Sequence, residues 1–166
     1  MTPVGHASIS VIAGIKLNQK HFYALFFGSL IPDIDFLLLP LEAFNNLHRA
    51  VTHNIFFLLI ISLFILPFFR VKDIWVPVLF LTGGISHLLI DSILDANPSN
   101  GVGIALFWPL SENYFSPFNL LSSYESSYNW DQPVKFLFSL GRSFIIEIPF
   151  FTIALFLLPK RLKHAF

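Results

Sequence analysis

The sequence predicts an all-α membrane protein, a polytopic bundle of about five helices with two short ones first and three longer ones after, forming one domain over residues 1–166. Three observations predict it. Hydrophobic residues make up 55% of the chain and charged residues only 12%, against roughly 25% charged in an ordinary soluble domain. The mean hydropathy is +0.70. Long apolar runs also recur at lengths near the ~20 residues that cross a bilayer.

Taken in order, segments 7–15 (ASISVIAGI) and 22–31 (FYALFFGSLI) are short and apolar, and the polar turn LNQK between them makes a helical hairpin. Runs 54–69, 74–94 and 134–158 are the three long membrane helices. The first of these is short, and the last carries Arg142 and Glu147, which implies tilt, partial burial or a thinned bilayer. Segment 96–133 holds Trp108, Tyr114, Tyr124, Tyr128 and Trp130, ring types that settle at a membrane interface. It reads as a cover over a site or as an interface anchor.

Basic residues orient the bundle, because cytoplasmic loops accumulate Lys and Arg. Lys16, Lys20, Arg70, Lys72, Lys160, Arg161 and Lys163, seven of the ten basic residues, fall on one side if five helices alternate in direction. That side and the C-terminus are expected to be cytoplasmic. The N-terminus lacks a basic region and a cleavage motif and does not read as a removable signal peptide. The opposite side then receives His6, the PDID turn, segment 45–53 and the end of run 74–94. The inward helix halves are expected to be apolar apart from Arg142 and Glu147.

Composition also excludes chemistries. With no Cys, thiolate ligands, disulfides and Cys nucleophiles are all absent, so a metal would need nitrogen and oxygen ligands. Formal net charge is zero with the basic residues scattered, which argues against a nucleic-acid partner.

His87 and Asp91 stand at i, i+4 in GGISHLLIDSILD, on one face of a helix. Gly83 and Gly84 before them admit a neighbouring helix closely. In LHRAVTHN, His48 and His53 bracket Arg49 just before an apolar helix. Such an N-terminus favours anions, and Arg49 can grip a phosphate bidentately; Thr52 reads as an N-cap. In GSLIPDIDF, Pro32 stops the helix, and Asp33 and Asp35 point the same way if the backbone is extended. The expected metal ligands are His6, Asp33, Asp35, His48, His53, His87 and Asp91. Asp95 reads equally as an outer acceptor for a ligating His or as a solvated group. His21 and His164 read as surface residues, and Glu112 has no evident partner.

These motifs, namely His6, GSLIPDID, HRAVTH, HLLID and LFWPLS, resemble those of the LexA-regulated membrane-bound metal-dependent hydrolases of bacterial inner membranes. The resemblance covers about the first two thirds of the chain. The order of His and Asp residues is also distantly similar to zinc-dependent phospholipase C. Ala50 stands where an HRGxTH-type motif has Gly, and no His-x-x-x-Glu follows Asp91, so a three-metal cluster is not implied.

The resemblance implies hydrolysis of a phosphoester of a membrane lipid or lipid-linked substrate by metal-activated water. One or two divalent ions, zinc first, are implied, with Arg49 and Asp91 as catalytic residues. The sequence leaves open a metal or proton transporter, although no internal repeat is evident. It also leaves open a membrane protein that metal only pins together. The oligomeric state is not legible.

Overall fold

In the computed structural model, residues 1–38, 50–68, 72–94, 96–97, 101–117 and 133–163 are described. Among the described residues there are five α-helices: α1 (Pro3–Ala13), α2 (Gln19–Leu30), α3 (Ile55–Phe68), α4 (Trp75–Leu94) and α5 (Pro133–Lys163). A 3-10 helix, Ile31–Leu38, continues α2, and the two-residue strands β1 (Ala96–Asn97) and β2 (Gly101–Val102) pair antiparallel after α4.

Local chemistry sets the helix starts. Thr2 caps α1 by accepting from Gly5 N with Pro3 following, and Asn18 caps α2 by accepting from His21 N, which satisfies donors that a first turn leaves orphaned. For α3 the cap is Asn54, whose Oδ1 accepts from Phe57 N at 2.8 Å. Thr52, expected as the cap, is used elsewhere.

The closest helix crossing is between α2 and α4. A Cβ at Gly28 would overlap the Phe80 carbonyl, and one at Gly83 would overlap that of Leu25. The two bare backbones let these helices touch, as small residues do in membrane bundles.

Helix α1 runs parallel to α5. At its start Thr2 N donates to Glu147 Oε1 at 2.6 Å; at its end Arg161 donates to the Leu17 carbonyl and lies over the Phe22 ring. Glu147, expected among the inward helix halves, therefore lies at the opposite end from the basic turn. At the basic end Lys20 Nζ and His21 Nε2 meet Asp73 Oδ2 at 3.2 and 2.8 Å. The His21 contact is the main reason the Asp73 carboxyl is held below its usual range.

Among the described residues, α4 alone is both long and apolar enough to cross a bilayer; Pro3–Ala13 and Ile55–Phe64 are apolar but shorter. At 1.5 Å per residue α1 extends about 16 Å, well under the ~30 Å hydrocarbon thickness. The helices α3 and α5 nonetheless expose Ile60, Leu63, Phe64, Ile145, Ile148 and Phe156, several large apolar side chains on each.

Candidate metal centre

At the end of the bundle away from the basic turn, four buried side chains from three elements converge. Asp33 comes from the 3-10 helix, His53 from the bend before α3, and His87 and Asp91 from α4. They are 7%, 0%, 0% and 1% exposed. One ligand atom from each lies within 4.8 Å of all the others.

The separations carry the chemistry. His87 Nε2 is 3.3 Å from His53 Nε2, 3.2 Å from Asp91 Oδ2 and 3.6 Å from Asp33 Oδ1. His53 Nε2 is 3.6 Å from both Asp33 Oδ1 and Asp91 Oδ2. A tetrahedron with metal–ligand bonds of ~2.0 to 2.2 Å has edges of about 3.3 to 3.6 Å between ligand atoms. The five separations that involve a histidine nitrogen lie at or close to that range.

The ring orientations agree. His87 Nδ1 donates to the Ser29 carbonyl at 2.7 Å, which leaves Nε2 as the nitrogen that faces the group and that a metal would take. Thr52 Oγ1 donates to Asp35 Oδ2 at 2.8 Å and lies 3.0 Å from His53 Nδ1. With its proton committed to Asp35, the hydroxyl accepts from Nδ1–H, and His53 Nε2 likewise faces inward. Ligating histidines are held in this way, by a second partner on the far nitrogen. Two facing ring nitrogens beside two buried carboxylates require positive charge between them. Asp33 Oδ2, buried and without a hydrogen bond from any described residue, shows the same unmet demand. A divalent ion with nitrogen and oxygen ligands therefore fits.

A proton can meet part of that demand. Burial by itself would push His53 down, but hydrogen bonds and charge from Asp33 and Asp91 outweigh it and raise the imidazole to about 9. Any metal must displace this proton.

The other expected ligands take different places. His6 lies outside the four-atom group, with Nε2 3.0 Å from Asp91 Oδ1 and its ring stacked on His87 at 3.6 Å between centroids. The Met1 ammonium shares Asp91 Oδ1 at 2.8 Å. Asp35 stands behind His53 and orients it through Thr52. The expectation that Asp33 and Asp35 point the same way fails because the backbone there is 3-10 and not extended. Pro32, with no N–H to lose, is tolerated in its first turn. His48, Arg49, Asp95 and His164 lie outside the described residues; Glu112 is exposed and His21 remains at the basic end.

Several contributors gave no sequence signal. The Ser29 carbonyl is a backbone group, and Thr52 was explained by capping. Glu147, which ties the start of α1 beside Met1, looked like an isolated charge in a long apolar run.

No curated protein and no solved structure matches the chain. The model of one family, described as YdjM inner membrane protein, matches residues 1–162, which include every part of the centre. That description speaks of the inner membrane and names no reaction. With its apolar helices and its match along nearly the whole length, the chain belongs to the YdjM inner membrane protein family.

Proposed function

We propose that this protein is a membrane-embedded, metal-dependent hydrolase that cleaves a phosphoester of a lipid or lipid-linked substrate. The observation that carries the reading is the convergence of one ligand atom each from Asp33, His53, His87 and Asp91, all within 4.8 Å of one another. A divalent ion bound there would supply Lewis acidity and an acidified water. The chain's own residues would do the remainder. His6 can hold or release a proton at Nε2 beside Asp91 Oδ1, Asp91 joins that proton site to the ligand group, and Asp35 with Thr52 keeps His53 turned inward. Arg49, outside the described residues, keeps its expected role of gripping the phosphate.

Hydrolysis is favoured by what the centre holds beyond four ligands. His6 and Asp33 Oδ2 are surplus to a single closed tetrahedron, and they provide a base and a spare ligand atom. Zinc suits the nitrogen and oxygen donors, with room in the ligand set for one or two ions. The distribution of charge supports a multi-pass orientation with the basic end and C-terminus cytoplasmic and the centre on the other side.

A second reading, a metal that only pins the helices, is favoured by burial, since four ligands already complete a tetrahedron with no open position. A transporter gains less support, because Glu147 belongs with the ligand end and no acidic path toward the basic end is visible among the described residues. Metal analysis of the purified protein, coupled to a screen of phospholipid and lipid-phosphate hydrolysis, separates these readings. Hydrolysis abolished by a chelator and restored by the ion supports the enzyme. Stoichiometric metal with no hydrolysis of any of them supports the pin.

A further inference from the structure

Residues 104–115 form a tight excursion after the β1–β2 hairpin, close to the metal centre. Ile104, 1% exposed, packs with Leu58 and Leu88, the latter beside His87 in sequence. The Leu106 carbonyl accepts from Ile55 N at 3.1 Å, two residues after His53. The base of the excursion is thus fastened to both helices that frame the centre.

Its tip is built differently. Phe107 is 51% exposed and Leu110 is 79% exposed, with Trp108 and Pro109 between them. No charged residue occurs from 96 to 111. Most N–H groups of the tip are also bonded within the excursion: Leu106 N bonds Ile104 O, Trp108 N bonds Ala105 O, and both Leu110 N and Ser111 N bond Phe107 O. Ile104 and Phe115 exchange both of their backbone bonds, and Pro109 has no N–H to satisfy.

Water imposes no such demand on an exposed turn, whereas hydrocarbon does, because an unpaired N–H or C=O there costs several kcal/mol. Exposed large apolar side chains on a turn whose N–H donors are mostly bonded internally favour entry into a bilayer. The polar stretch beginning at Glu112 and Asn113, both exposed, marks where the entry stops. On α4, the helix that carries His87 and Asp91, Ile85 and Leu89 are also exposed.

We propose that Phe107–Leu110 is a wedge that enters the acyl-chain region of the leaflet next to the metal centre and fixes the depth of that centre relative to the lipid headgroups. Its occupant is the lipid bilayer, continuous with the lipid that covers the outer helix faces. The wedge does not depend on hydrolysis and would serve a structural metal site equally.

The absence of native Cys makes the test direct. Single cysteines replacing Phe107, Leu110, Glu112 and Asn113 in the full chain are spin-labelled and reconstituted in phosphatidylcholine vesicles. Collision with oxygen, which concentrates in the acyl region, is compared with collision with a water-soluble nickel chelate. Labels at 107 and 110 are expected to favour oxygen several-fold, and labels at 112 and 113 to favour the chelate. All four side chains are exposed on the protein, so labelling leaves packing intact, and a folded far-ultraviolet spectrum with unchanged melting checks this. Chelate accessibility at 107 and 110 equal to that at 113 overturns the wedge.

Discussion

His53 and His87 face each other with their Nε2 atoms 3.3 Å apart, although the two residues come from different elements and each has its other nitrogen committed to a partner. The Ser29 carbonyl holds His87 and the Thr52 hydroxyl holds His53. Two such nitrogens approach this closely when a proton or a metal ion lies between them.

Thr52 touches no ligand position directly, yet it fixes the His53 ring. Thr52→Val keeps the shape and removes the bridge to Asp35, so metal affinity is expected to fall about 10- to 100-fold, as for other partners behind a ligand. Thr52→Ser restores most of the affinity. Titration with a competing chelator measures both; an unchanged Val variant would remove Asp35 and Thr52 from the centre.

Gly28 permits the α2–α4 crossing that places the Ser29 carbonyl on His87. Gly28→Ala puts a Cβ onto the Phe80 carbonyl, backbone that has no room to yield, and is expected to cost about 1–3 kcal/mol as an overpacked contact. Thermal unfolding in detergent should show a lower midpoint together with weaker metal binding. Ala in place of exposed Asn113 serves as the control that changes neither.

The pH dependence follows from His53. Its imidazole is raised from 6.5 to about 9 by Asp33 and Asp91 against the opposing effect of burial. The metal-free protein thus binds this proton more tightly folded than unfolded. That stability is complete below pH ~6.5 and is lost as pH rises through about 9. A bound metal replaces the proton, so apparent metal affinity should increase with pH over the same window. Melting curves with and without chelator between pH 6 and 9.5 should converge at low pH and separate at high pH; a gap that widens toward low pH would contradict this.

Much of this was legible in the sequence because the responsible signals are local. The i, i+4 spacing of His87 and Asp91 survives on any helix, and apolar runs marked α3, α4 and α5 to within a few residues. Charge in the loops grouped Lys16, Lys20 and Arg161 at one end, as the structure places them. The division of labour between Asp33 and Asp35 was not legible. It depends on Ile31–Leu38 turning as a 3-10 helix, which Pro32 permits but does not announce. Nor could sequence show that Glu147 meets Thr2 across 145 positions, since a lone acid in an apolar helix gives no hint of which end of a neighbour it faces.

Orientation can be read with the same cysteine-free background. A cysteine at Lys163 is expected to resist a membrane-impermeant maleimide in intact cells, while one at Ser123 reacts. The reverse pattern would invert the topology and move the centre to the cytoplasmic side.

The central claim is that Asp33, His53, His87 and Asp91 hold a divalent metal. Elemental analysis of the protein purified without chelator, set beside His53→Ala and Asp91→Ala preparations of equal fold, tests it most directly. At least one divalent ion per wild-type chain is expected, with a loss of nearly all of it in both variants. Wild-type protein that stays metal-free after zinc is supplied and excess removed, or variants that retain the wild-type content, would contradict it.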